Sequence, residues 1–364
     1  MGKRIIATVT NDLSGDQRMY RICSTLSEEG FDVLLVGRKR SFSKELKEFP
    51  FSTKRFNIWT ESGKLFYLFY NIRLCFFLLF NRSYIRIAVD TDTLLAHSFA
   101  SLFKGDYLVY DAHELFTEVP EVTNRRLSKW IWRLLEKLTI PRIKHAYTVN
   151  DSLAKIFEER YKTKFSVIRN LPVLADVPEV KYERKKNHIL YQGDINEGRG
   201  LKELIDAIED LDVHLDIAGR GPILSEIEKY VSSKDMDKKV TFHGFLGKED
   251  LVALTNQATI GVNLLENKGL SYYYSLANKF NDYIASELPQ VSMAFPEYTN
   301  INKEYGVALL VHNLEKQSLQ YAINRLLTDR ELYDRLQANC KKAKLELNWE
   351  NEKGRLIDFY KNLK

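Results

Sequence analysis

Short runs of β-branched and aliphatic residues alternate along this chain with stretches in which apolar positions recur every three or four residues. In the first half, the runs at 5–9, 31–36, 85–89, 107–110 and 145–149 read as strands, and 17–29 reads as a helix between the first two. Strands separated by helical stretches predict a parallel sheet with crossover helices rather than hairpins. From Leu171 to Asn187 the rhythm breaks, and Pro172, Pro178 and a charged run at 181–186 mark a linker. It then restarts, with strands expected at 189–192, 214–217, 239–242 and 260–264 and helices at 201–211 and 223–231. The last helical segment, from Leu332 to Lys364, is interrupted near Asn348 and Trp349. The chain thus reads as α/β, with domains at 1–175 and 176–347 and a terminal helix at 348–364.

Two helical stretches stand apart from the rest. Between Lys64 and Phe80 only Lys64, Asn71 and Arg73 interrupt a run of fourteen apolar or tyrosine side chains. A bilayer span needs roughly 20 apolar residues. The segment therefore reads either as a buried crossover helix or as an interfacial helix dipping into a bilayer, and Lys54, Arg55, Arg82 and Arg86 favour the second. From Asn124 to Leu138, Leu127, Ile131, Leu134, Leu135 and Leu138 share one face, while Arg126, Lys129, Arg133 and Lys137 line the other. The expectation is a solvated basic face; Trp130 at its boundary offers a membrane-surface role as the second reading.

At 364 residues the chain exceeds the roughly 250–300 at which one core stops growing, in keeping with two domains. Cys23, Cys75 and Cys340 show no paired spacing and no nearby histidines, which argues against a disulfide framework or zinc site and suits a reducing cytoplasm. Met1-Gly2-Lys3-Arg4 passes into the first strand without an apolar region and cleavage site, so no signal peptide is expected. The net charge of +5 divides unevenly: 28 Lys+Arg against 19 Asp+Glu in 1–175 give +9, and 26 against 30 in 176–364 give −4. Either this is ordinary surface variation or the first half faces something anionic, a phospholipid surface or a lipid diphosphate. No nucleic-acid-binding module accompanies the charge. A cytoplasmic protein, or one peripheral on the inner face of the membrane, is expected.

The strand at 107–110 runs into Asp111-Ala112-His113-Glu114, which delivers a histidine to the open end of a sheet, where α/β proteins bind ligands. Gly198-Arg199-Gly200 places a guanidinium at a helix start with little bulk around it, and Lys279 stands just inside another helix. Taken singly, each is an ordinary surface charge. Together they supply what a leaving phosphate needs as negative charge grows on it, cations and helix-start N–H groups. Gly219-Arg220-Gly221-Pro222 reads as a tight turn after a strand. The loop at 11–18 lacks the Gly-x-Gly-x-x-Gly fingerprint of a dinucleotide site, which counts against an NAD-dependent enzyme. Asp90-Thr91-Asp92 has the spacing of metal-binding carboxylates but is assigned to loop structure or acceptor contact.

In order and spacing these motifs, with Thr148-Val149-Asn150-Asp151, Arg169-Asn170-Leu171-Pro172, Tyr191-Gln192-Gly193, Phe242-His243-Gly244 and Ser275-Leu276-Ala277-Asn278-Lys279, resemble the retaining nucleotide-sugar glycosyltransferases of the GT-B fold, family 4 type. The resemblance runs from about Thr10 to Leu327. It implies two Rossmann-like domains facing across a cleft, with the last helix crossing back to the first domain. It also implies transfer from a UDP- or GDP-type nucleotide diphosphate sugar to a glycan or lipid-linked acceptor, with no metal and no cofactor. By resemblance, His113 contacts the donor sugar as a neutral imidazole, and Arg199 and Lys279 hold the diphosphate. Gly193, Gly219, Gly221, His243, Phe245, Ser275 and Asn278 then line the nucleotide, and Asp282 takes the ribose hydroxyls. Asp16, Arg18, Asp92 and Glu114 fall on the acceptor side. The chain departs from the pattern at Tyr274, where the family has a glutamate, and at Asp282, one methylene shorter than the usual glutamate. Glu266 is too far upstream to stand in without a loop rearrangement. An epimerase of the same fold and a catalytically silent nucleotide-sugar-binding subunit fit the same residues.

Overall fold

A computed structural model describes residues 2–41, 43, 45–119, 126–177 and 184–363. Asn124, Pro178 and the start of the charged run at 181–183 lie outside the described residues, as does the side chain of Arg126. The chain divides into two compact units, Met1–Asn170 with Lys353–Lys364, and Leu171–Glu352.

The first unit is a seven-stranded parallel sheet in the order β3-β2-β1-β4-β5-β6-β7. Its strands are β1 (Arg4–Asp12), β2 (Asp32–Lys39), β3 (Ser52–Asn57), β4 (Ile85–Val89), β5 (Tyr107–Ala112), β6 (His145–Thr148) and β7 (Ser166–Val167). The central strands β1 and β4 are covered on both faces, which is why they read as continuous apolar runs. Edge strand β3 carries Lys54 and Arg55 and gives no such signal. Helices α1 (Gln17–Glu28), α2 (Gly63–Phe80), α3 (Asp90–Ala100), α4 (Arg126–Thr139) and α5 (Asp151–Tyr161) connect the strands.

Helix α2 is half-buried. Phe66, Tyr70, Leu74 and Leu78, four residues apart, enter a core with Ile6, Val36 and Phe56, while Leu68, Ile72, Phe76 and Phe80 on the opposite stripe are exposed. By length and composition it could cross a membrane.

The expectation for α4 holds only in part: Arg133 and Lys137 are exposed and Leu135 is half-buried, but most of the other apolar side chains are not turned inward. Its inward face carries polar and aromatic residues: half-buried Lys129 reaches Glu118 at 3.0 Å, and the exposed Arg133 reaches it at 2.9 Å, with Arg160 at 3.4 Å. Trp132 packs edge-on against Tyr67 and Phe116, and Glu136 is buried, accepting from Thr91. Leu127, Trp130, Ile131, Leu134 and Leu138 point to solvent instead. The buried Glu118 demands cations, and α4 supplies them from the side that sequence reading assigned to water. Half exposed, those five side chains forgo roughly 1 kcal/mol each.

The second unit is a six-stranded parallel sheet in the order β10-β9-β8-β11-β12-β13: β8 (His188–Gln192), β9 (His214–Ala218), β10 (Val240–Gly244), β11 (Ile260–Asn263), β12 (Gln290–Met293) and β13 (Ala308–Val311). Around it lie α6 (Leu201–Ile208), α7 (Leu224–Ser233), α8 (Lys248–Gln257), α9 (Leu270–Tyr273), α10 (Asn278–Ala285), α11 (Pro296–Tyr305), α12 (Lys316–Thr328) and α13 (Arg330–Ala343). The last helix, α14 (Trp349–Lys361), begins in this unit and ends in the first, where Tyr360 meets the Tyr147 hydroxyl at 3.1 Å and Lys361 pairs with Glu29. In each sheet the strand order reverses beside the first strand, β1/β4 and β8/β11, and such switch points open crevices at the strand C-termini.

Candidate functional site

In the second unit, the loops leaving β8, β9 and β10 are hydrogen-bonded to one another. Gly193 N–H donates to Ala218 O at 2.9 Å, Ile195 N–H to Arg220 O at 3.0 Å and Gly219 N–H to Gly244 O at 2.8 Å. A Cβ on Gly219 would lie 1.8 Å from Gly193 O, and one on Gly221 1.9 Å from Ile195 O. These approaches require glycine and leave a floor of bare backbone.

Lys279 reaches over this floor from the second position of α10. A Cβ on Gly193 would stand 3.6 Å from its Nζ. The ammonium is buried, has no hydrogen-bond partner among the described residues, and lies 3.7 Å from the centre of the Tyr191 ring. Burial, and then the charge of Arg199, hold its pKa well below the ordinary 10.5. Arg199 itself stacks 4.8 Å from the Tyr272 ring. The residue before α10, Ala277, has no side chain that caps the helix, and its own N–H donates to the Tyr298 hydroxyl at 3.0 Å. A buried cation beside a helix start over bare backbone is suited to a phosphate or diphosphate.

The remaining sequence-predicted donor residues divide. Half-buried Asp282 accepts from Gln192 Nε2 at 3.0 Å, and Gln192 in turn accepts from Thr255 at 2.9 Å. Phe245 is exposed under the Arg220 guanidinium, 4.6 Å from its ring centre. His243 contributes through its loop backbone: its Nε2 lies 2.7 Å from Asp216, which also holds His188 at 2.8 Å, so the imidazole belongs to a strand-to-strand contact. Ser275 spends its hydroxyl on Tyr272 O at 2.8 Å. Glu266 was set aside for its distance in sequence, yet its N–H donates to Gly198 O at 2.9 Å, beside Arg199. Parallel-sheet topology brings these loops together, which spacing alone does not show.

In the first unit, His113 sits between two carboxylates. Its Nδ1 is 3.3 Å from Asp90 and its Nε2 3.1 Å from Asp111, while its backbone N–H donates to Asp90 Oδ1 at 2.8 Å. Burial alone would lower the imidazole pKa, but the two carboxylates outweigh it and hold it well above 6.5. The two carboxylates thus favour the protonated ring over the neutral imidazole expected from the resemblance. Asp90, read from sequence only as half of a metal-like pair, is the residue that orients it, in a left-handed conformation with φ 54° that no pattern announces. Among the described residues no group of three His, Cys, Asp or Glu is arranged to hold a metal ion.

Arg18 is likewise corrected from ligand contact to support. It is buried and forks onto Asp111 at 2.9 and 3.3 Å, with a third bond to Ile168 O at 3.2 Å. Burial would raise the Asp111 pKa, but Arg18 and then His113 bring it to about 2. Asp16 caps α1 through Met19 N–H at 3.0 Å. Asp92 bonds Thr10, and burial with the nearby Asp90 lifts its pKa to about 7. Asp92 and Glu114 line a cleft of about 440 Å³ together with Asn11, Arg38 and Arg40, two arginines that sequence reading missed.

Solved structures similar to the chain share its fold over its whole length. They include sucrose-phosphate synthase from Thermosynechococcus elongatus (16% identity, TM-score 0.81, covering 99% of this chain and 98% of that one). HepE from Anabaena in complex with UDP and glucose is similar at 13% identity and TM-score 0.79 (99% and 100%), and WaaG, a glycosyltransferase involved in lipopolysaccharide biosynthesis, at 14% and 0.75 (99% and 100%). Two parallel-sheet Rossmann-like domains of this kind define the GT-B class. Residues 176–343 match the family model described as glycosyl transferases group 1; the chain is a glycosyltransferase, with that domain in its second unit. No curated protein sequence matches the chain.

Proposed function

We propose that the protein transfers a sugar, with retention of configuration and without a metal ion, from a UDP-type donor to a growing surface glycan or its lipid-linked precursor. The observation that supports the donor half is Lys279: a buried ammonium without a partner costs stability, and a site for an anion is a reason to keep it. The donor diphosphate would rest on Lys279 and the first N–H groups of α10, with Arg199 on the adjacent loop and Asp282 taking ribose hydroxyls. Fixed cations meet the charge that develops on the leaving phosphate. In the first unit, Asp92 and Glu114, which line the cleft, serve the acceptor. The complexes of HepE with UDP-glucose and with UDP and glucose favour a UDP donor, and the role of WaaG in lipopolysaccharide biosynthesis favours a surface-glycan acceptor.

Calorimetric titration with UDP, GDP and their sugar conjugates in EDTA, followed by NMR of the product anomer, tests this reading. The expected result is metal-free UDP binding, weakened in Arg199→Ala, and a product with the donor's anomeric configuration. Activity lost in EDTA and restored by magnesium or manganese, or an inverted product, would overturn the corresponding part. Sugar epimerised without acceptor would make the protein an epimerase, and a failure to bind any nucleotide would make it a silent subunit.

A further inference from the structure

The exposed apolar side chains of the first unit are concentrated on three helices packed side by side. On α2 the outward stripe is Leu68, Ile72, Phe76 and Phe80, the last 83% exposed. Helix α3 packs against both α2 and α4, and from it Phe99 and the following Leu102 and Phe103 stand in solvent. From α4 come Trp130, 62% exposed, and its neighbours at helical spacing. Right-handed crossovers put α2, α3 and α4 on the same face of the sheet. A contiguous apolar layer of this extent is not left in water without a partner.

Charge indicates the partner. The segments 62–106 and 126–144 contain eleven lysine and arginine residues, and their only carboxylates are Asp90, Asp92, Asp106 and Glu136. Each of the four is engaged within the unit: Asp106 with Arg86, Asp92 with Thr10, Asp90 with His113 and Glu136 with Tyr161. Lys64, Arg82, Lys137 and Lys144, at or beside the ends of α2 and α4, are exposed. An apolar face bordered by cations, with an indole among its side chains, matches the interface of an anionic bilayer. Helix α4 is held in this attitude by Glu118, which binds the half-buried Lys129 and the exposed Arg133, and by the buried Glu136.

We propose that the outward face of α2, α3 and α4 is a docking surface for an anionic phospholipid membrane, on which the protein lies without spanning it. The test uses the full chain and needs neither nucleotide nor acceptor, so its outcome is separate from that of the donor reading. Wild-type protein should co-sediment with vesicles of phosphatidylcholine mixed with phosphatidylglycerol, and less well with phosphatidylcholine alone or at high salt. The pairs Leu102→Glu/Phe103→Glu and Trp130→Glu/Leu134→Glu should each weaken binding by about tenfold or more, since each puts two carboxylates into the interface. Their circular dichroism and UDP affinity should stay at wild-type values, because the substituted side chains are exposed. Lys137→Glu/Lys144→Glu should abolish the preference for phosphatidylglycerol. Wild type that ignores anionic vesicles, or glutamate variants that bind as wild type does, would overturn the proposal. So would light scattering that shows a wild-type dimer split by the same substitutions, since the face would then be covered by a second copy.

Discussion

Replacing Lys279 with methionine should make the second unit more stable and the protein worse at binding UDP. Desolvating an ammonium costs several kcal/mol even after relaxation. The Tyr191 ring at 3.7 Å returns about 2 kcal/mol at best, and no hydrogen bond offsets the rest. A net penalty of about 1–3 kcal/mol remains by that difference. Methionine keeps the unbranched stem and removes the charge, so in calorimetry the transition of the second unit should rise by about 2–4 °C per kcal/mol recovered. The pH dependence has a definite sign. Because the folded pKa is depressed, the penalty is full below it and vanishes as pH rises past the unfolded value of 10.5, so the gain should be largest at the low-pH end of the folded range and absent above 10.5. Affinity should move the other way: losing a charge-assisted contact with a phosphate costs about 1.5–3 kcal/mol, roughly ten- to 150-fold in Kd. A variant that is less stable than wild type and binds UDP equally well would refute both the burial argument and the assignment of the site.

Arg18→Leu leaves the buried Asp111 with His113 as its remaining cationic partner and should destabilise the first unit by about 3–5 kcal/mol in urea unfolding; a loss under about 1 kcal/mol would place that contact among weak surface pairs. Gly219→Ala should shift the 193–195 loop, because Cβ would meet Gly193 O at 1.8 Å, and lower both Tm and UDP affinity; unchanged calorimetry would mean the floor is not built as described. NMR titration of His113 should give a pKa above 6.5 that falls toward it in Asp90→Asn. Since the folded value is raised, the contribution of this group to stability is complete below pH 6.5 and is lost as pH rises through the folded value, a loss that Asp90→Asn should reduce.

Periodicity located several of the strands buried on both faces: β1, β4, β5 and β8 read as apolar runs. It missed the buried β12, whose four residues include Gln290 and Ser292, as well as β13, the edge strand β3 and the two-residue β7. Among site residues, the glycines, Arg199 and Lys279 were legible because close backbone approach and helix starts impose local chemistry. The partner of His113 was not. Asp90 is twenty-three residues from it and is brought alongside by the pairing of β4 with β5.

The sequence by itself determined the α/β alternation, the two units and the residue types at the second unit's strand ends, because these follow from local propensity, period and steric need. Tertiary structure decided which side chains became partners and which faces met solvent. Arg18 went to Asp111, His243 to Asp216, and Lys129 and Arg133 of α4 to Glu118, with Leu127, Leu134 and Leu138 left outward. Those outcomes depend on buried charges contributed by distant segments, and the cost of leaving such a charge unpaired outweighs the pattern of the helix or strand that answers it.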